Sequence, residues 1–236
     1  MTRHWLIAAT LPFMFMLVSA NLRADEEVTI LAVGDSITQG GNSFRCYREF
    51  LIPMLSKGET KVRFVGPNRD QFSAHCGYGG KNTSFLSGII GEVYSKHPAD
   101  IVLLHSGHNS FSKDKPVPGI TRATEQIVET IHGLNPDVTI LLAQVIPSGK
   151  LPKYSYIPEL NEELSKSAVR MNAKGIHVIL VNLAKDFDWK LDTVEDKVHP
   201  NESGARKMAE RWMSALKPVL DQRRKDRISG KHNSPS

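Results

Sequence analysis

The chain has 236 residues, 40% hydrophobic and 23% charged, with a formal charge of +5. That length suits one domain of ordinary size with a sizeable core, and the apolar share excludes a wholly disordered chain. Two cysteines are too few for a disulfide-built miniprotein, no C-x-x-C pair offers a zinc knuckle, and there is no collagen period, sustained heptad or internal repeat.

The first segment is a leader pattern. Arg3 precedes an uncharged run over residues 5–18 (WLIAATLPFMFMLV), and small residues follow it. A basic start, a short apolar stretch and small residues at the exit describe a secretory signal. A membrane span needs about 20 apolar residues, so an uncleaved anchor is the lesser alternative. Cleavage fits after Ala24, where Asp25-Glu26-Glu27 begins, or after Ala20. Residues 1–24 are therefore read as a signal peptide. The mature protein is expected to be secreted or periplasmic, with no stable membrane insertion once the signal is gone. Removing residues 1–24 removes Arg3 and Arg23 and no acid, which lowers the formal charge by two. Much of the remaining excess lies in residues 222–236, expected as a basic, solvated or disordered tail. No RNA or DNA module is visible, so no nucleic-acid partner is expected. Nothing in the sequence sets an oligomeric state.

Residues 25–221 read as one domain in which strand-like and helix-like segments alternate. Residues 28–33 (VTILAV) form a continuous apolar run, as for a strand buried on both faces. Residues 47–55 place Phe50, Leu51, Met54 and Leu55 at helical spacing. Strands follow at 62–65 and 101–104 (IVLL), then a helix over 120–134 with Ile127, Ile131 and Leu134 on one face, ended by Asn135-Pro136. A strand at 138–145 precedes a helix over 157–174 that stops at Gly175, and the last strong strand is 176–181. A helix over 203–219, with Ser203 as a candidate cap, closes the domain. Strands separated by helices imply an α/β fold, a three-layer α/β/α sandwich around a mainly parallel sheet. Ligands bind such folds outside the carboxyl ends of the strands.

The chemical residues fall at those ends. Gly34-Asp35-Ser36-Ile37-Thr38-Gln39-Gly40 follows the first strand and presents a serine between glycines. By itself this is usually turn chemistry. A nucleophilic serine needs a base, and the base an orienter. Asp196-Lys197-Val198-His199-Pro200-Asn201, just before the last helix, supplies an Asp and a His three apart. The order Ser, Asp, His is that of the α/β-hydrolases, but their G-x-S-x-G signature is absent around Ser36. A different scaffold is implied.

The chain resembles the SGNH hydrolases, also called GDSL esterases or lipases, whose four blocks contribute Ser, Gly, Asn and His. GDSITQG is similar to the first block, HCGYGGK (residues 75–81) to the second, SGHNS (106–110) to the third and DKVHPN (196–201) to the last. The resemblance spans residues 28–219 and implies the flavodoxin-like SGNH fold. It also implies Ser36 as nucleophile, His199 as base, Asp196 as its orienter, and an oxyanion hole from the Ser36 amide, the Gly80 amide and the Asn109 side chain. No cofactor is implied. The third block departs from the usual pattern, with Ser110 in place of Asp and His108 at the variable position. His105 and His108 lack a third partner at metal-ligand spacing, so no metal is expected.

Within the family, the second block, the strand leading to the third block and Arg48 look most like members that deacetylate carbohydrates. The substrate expected is a small-molecule or polysaccharide ester. The alternatives are a lysophospholipase or thioesterase, and a non-catalytic carbohydrate-binding relative. Asp35, Arg48 and His108 are candidate substrate contacts. Residues 150–157 (KLPKYSYI) either line the cleft or simply connect. A Cys46–Cys76 bridge is expected because both cysteines should approach the cleft of an exported protein; two separate buried thiols are the alternative. The sequons at Asn82 and Asn201 abut the expected cleft and are read as coincidence.

Overall fold

The computed structural model describes residues 27–229. The leader over residues 1–24 and the end of the tail lie outside the described residues. Seven strands form one sheet, with β1 (Val28–Gly34) at its centre. Along one side of β1 lie two strands in succession. β2 (Val62–Val65) pairs with its first half, and β4 (Ala74–Gly77) pairs with its last two residues. On the other side follow β5 (Ile101–His105), β6 (Thr139–Gln144) and β7 (Val178–Asn182). All of these pairings are parallel. The short β3 (Asn68–Arg69) pairs antiparallel with β4.

Alternation along β1 decides the two cores. Leu31 and Val33 point to one face, where they meet residues of α3 (Thr83–Lys96), α4 (Val117–Leu134) and α5 (Ile157–Ala173). Ile30 and Ala32 point to the other, against α2 (Tyr47–Leu55) and α7 (Glu202–Ile228). There the fully buried Trp212 of α7 lies 6.0 Å from Tyr47 of α2. A strand covered on both faces has no polar side to show, which is why its sequence reads as an unbroken apolar run. The α/β sandwich expected from the sequence is the observed fold. Strand order reverses at β1, so a crevice opens at the carboxyl ends of β1 and β5.

Several expectations need correction. The expected boundary at residue 221 falls inside α7, which runs on to Ile228. Arg223 anchors this extension by donating to the Asp100 and Asp137 carbonyls, at the entrances to β5 and β6. Residues 222–228 are thus helix, not a disordered tail. Leu134 is half-exposed because α4 ends on it. Asn201, not Ser203, caps α7, and the Ser203 hydroxyl donates to Asp192 instead. Both sequon asparagines are helix caps: Asn82 accepts from Phe85 N–H and Asn201 from Gly204 N–H.

No disulfide joins Cys46 and Cys76, which are free and buried. They sit in different surroundings. Cys46 precedes α2 and directs its thiol at the Ile37 and Thr38 carbonyls, whereas Cys76 belongs to the core under α3 and α4. Burial pushes the Cys76 thiol up to about 12. No described helix is long and apolar enough to cross a membrane.

Candidate active site

The chain leaves β1 at Gly34 and turns at once into α1 (Ser36–Gln39). The Asp35 carboxylate caps this turn by accepting from Ile37 N–H at 3.0 Å, leaving Ser36 as the first helical residue. Far along the chain, α6 (Trp189–Asp192) and α7 are joined by a loop pinned by a bridge between Thr193 and Pro200. The Val194 amide donates to the His199 carbonyl, which closes the loop on itself. Within it, Asp196 Oδ1 accepts the amides of Val198 and His199, and Oδ2 lies 2.5 Å from His199 Nδ1. His199 Nε2 then reaches Ser36 Oγ at 2.7 Å, across 163 positions of sequence.

The electrostatics suit a base held by a carboxylate. Burial alone would raise Asp196, but the His199 hydrogen bond and the two amides outweigh it and hold the carboxyl below its ordinary value. Ionised Asp196 fixes the imidazole with Nδ1 protonated and Nε2 free to accept the serine proton.

The second block forms the opposite wall. Tyr78 N–H donates to the Gly34 carbonyl at 3.0 Å, continuing the β1–β4 ladder into the turn. A Cβ on Gly79 would stand 3.8 Å from Ser36 Cβ, so this backbone lies against the serine. Gly79 N–H is taken by Gln39 Oε1 and Lys81 N–H by the Tyr78 carbonyl. The turn thus uses the amides on either side of Gly80 and leaves Gly80 N–H outside its own bonding. His75 serves this turn from behind. Its Nδ1 accepts Gly77 N–H at 3.1 Å, and burial, aided by Arg48, lowers its pKa to about 4.

Asn109 projects from the loop after β5 with φ +62°, and its Nδ2 donates to the Lys81 carbonyl at 2.9 Å. One N–H of the amide is used there, and the second remains for a ligand. The loop is held by the Tyr156 hydroxyl on the Gly107 carbonyl and by Thr83 with Ser106. Residues 150–157 do more than connect: Tyr154 and Tyr156 are buried, and Tyr154 packs edge-on to His108 at 5.4 Å.

The three candidate substrate contacts are all shut away from solvent. Arg48 donates to the Thr38 and Gln39 carbonyls, to Ser73 and to both oxygens of Asp70. It ties the end of α1 to residues 70–73. Burial would raise Asp70, yet Arg48 and the amides of Ser73 and Phe72 pull it down to about 2. Asp35 Oδ2 has no hydrogen-bond partner and lies 3.9 Å from His108 Nδ1. Burial raises Asp35 to about 6 and lowers His105 to about 4 and His108 well below its ordinary value. These residues support Ser36 and the third block and do not face a ligand. Among the described residues no group of three or more His, Cys, Asp or Glu could hold a metal.

Two features had little signal in the sequence. Phe44 stacks on the His199 ring at 4.1 Å, a contact made by loop conformation and not by spacing. Beside it opens a groove of about 1050 Å³, lined by polar side chains that include Gln39, Asn42, Arg45, Asn68, Arg69 and Gln71.

Comparison with known proteins agrees with this architecture. The chain is 27% identical over 231 residues to a multidomain esterase of Ruminococcus flavefaciens, covering 82% of this chain and spanning 29% of that relative's length. A family 3 carbohydrate esterase of Clostridium thermocellum superposes with a TM-score of 0.74 at 24% identity, covering 84% of this chain and 98% of the other. A family 3 carbohydrate esterase of Talaromyces cellulolyticus gives 0.74 at 19% identity, covering 83% and 99%. At these identities the two structures share the fold. Residues 32–207 match the GDSL-like Lipase/Acylhydrolase family. The chain belongs to the GDSL-like lipase/acylhydrolase family, a family of carboxylic ester hydrolases.

Proposed function

We propose that this protein is an exported serine esterase that removes acetyl groups from carbohydrate through an acyl-enzyme. The observation that carries the chemistry is the continuous relay from Ser36 Oγ through His199 to Asp196, with contacts of 2.7 and 2.5 Å. Ser36 attacks the ester carbonyl while His199 Nε2 takes its proton, and Asp196 stabilises the resulting imidazolium. The Ser36 and Gly80 amides and Asn109 Nδ2 face the oxyanion; one such donor is typically worth about 3 kcal/mol in the transition state. The alcohol leaves with the proton from His199. Water, deprotonated by the same imidazole, then releases the acid and frees Ser36.

The polar groove beside Gln39 and Phe44 supports a hydrated, hydroxyl-rich leaving group. A long acyl chain would need an apolar channel to leave water. The leader pattern supports action outside the cytoplasm, where polysaccharide is met. The test is hydrolysis of aryl acetate against longer-chain aryl esters, followed by acetylated oligosaccharides, with Ser36→Ala as control. Acetyl is expected to be preferred, with Ser36→Ala at least about a thousandfold slower. Preference for long chains would overturn the carbohydrate reading, and undiminished turnover by Ser36→Ala would overturn the nucleophile.

A further inference from the structure

Residues 40–45 form a loop between α1 and α2, and this loop covers the catalytic imidazole. The Phe44 ring lies over the His199 ring with centroids 4.1 Å apart and planes inclined by 22°. Two tethers hold the loop to the other side of the site. The Arg45 amide donates to the Pro200 carbonyl at 3.0 Å, and the Arg45 guanidinium lies 3.7 Å from Glu202 at the start of α7. Space for the ring is made by Gly41, because a Cβ there would stand 2.6 Å from the Phe44 ring. The position after His199 and the position after Phe44 are thus bonded backbone to backbone. This bond fixes the spacing of the two loops that carry the rings.

We infer that Phe44 is a positioning residue for His199 and acts on the proton transfer. The inference rests on the proposed esterase reading. Asp196 holds Nδ1 and Ser36 meets Nε2, which leaves the imidazole free to tilt about the line joining those two bonds. A flat ring packed on its face removes that motion and keeps Nε2 aimed at Ser36 Oγ. When Nε2 takes the serine proton the imidazole becomes a cation, and the negative face of a benzene ring stabilises a cation next to it. The second effect grows as the proton is transferred, and neither involves a contact with bound substrate, so they act on kcat and not on substrate affinity.

The experiment compares Phe44→Leu, which keeps apolar bulk without a π face, with Phe44→Tyr, which keeps the face. The substrate is 4-nitrophenyl acetate, and thermal melting of each variant is followed in parallel. Phe44→Leu is expected to lower kcat about five- to tenfold with KM within twofold, the effect of one aromatic pair at 1.36 kcal/mol per decade. Phe44→Tyr is expected to stay within twofold of the parent. The low-field NMR signal of the His199–Asp196 proton is expected to sharpen less in Phe44→Leu than in Phe44→Tyr. Equal kcat values for the two variants, or a loss that falls in KM, would overturn the assignment. Phe44→Trp, which also keeps a π face, replaces Phe44→Tyr if that variant does not fold. An active Ser36→Ala would instead refute the esterase reading, so the two failures are distinct.

Discussion

Asp35 precedes Ser36 with its side chain fully buried, yet only one of its oxygens is bonded. Burial raises its carboxyl from 3.8 to about 6. Between those values the folded protein holds a proton that the unfolded chain has released, so stability falls as pH rises through this window. The penalty is absent below about 3.8 and complete above about 6, where it is on the order of 3 kcal/mol. Asparagine keeps the cap on Ile37 N–H and has nothing to ionise. Asp35→Asn is therefore expected to gain on the parent by up to about 3 kcal/mol between pH 4 and pH 7, measured by urea unfolding. A gap independent of pH would contradict this account. The block letters G-D-S marked the place of Asp35. They did not show whether its carboxylate faces a ligand or the interior, since that depends on how the third block closes over it.

The element that presents Ser36 is a single turn of helix, too short to be stable alone. Asp35 satisfies its amide end and Arg48 its carbonyl end, the latter through Nε on Thr38 and Nη2 on Gln39. Arg48→Met would take the guanidinium from those carbonyls and leave Asp70 with only the Phe72 and Ser73 amides. A loss of about 3 kcal/mol in urea unfolding is expected. Arg48→Lys should fall between, because an ammonium cannot bridge several acceptors in a fork. A Met variant as stable as the parent would remove Arg48 from this role. Elements with a strong pattern were legible in sequence: β1, β5 and β6 as unbroken apolar runs, α5 and α7 by their buried period. By contrast α3 carries Gly88 and Gly91 inside it, and β4 contributes only four residues beside a turn. The strand is too short to show a period; α3 does repeat at Leu86, Ile90 and Val93, and is obscured by the two helix-weakening glycines within it. Arg48 was a candidate substrate contact through the resemblance to carbohydrate-deacetylating members, and a resemblance does not show that its donors are already spent inside the protein.

At the scale of the whole molecule, the sheet brings distant parts of the sequence together. The carboxyl ends of β1 and β5 supply Ser36 and Asn109, while α7 packs across the sheet beside α2 and carries the His199 loop to the same rim. Chain order and block spacing made this meeting readable in advance. The pairing of cysteines was not readable, because sequence distance says nothing about where each thiol packs. Cys46 faces the carbonyls of α1, whereas Cys76 packs into the core under α3 and α4. Phe44 was hidden for a related reason, since its stack depends on where two loops cross. The proposed chemistry requires that His199 activate the Ser36 hydroxyl and no other. Its most direct test is intact mass and peptide mapping after exposure of the folded protein to an aryl fluorophosphonate. One adduct per chain on Ser36, absent from His199→Ala, is the result this account predicts. An adduct on another residue, or an unreactive Ser36 in folded protein, would contradict it.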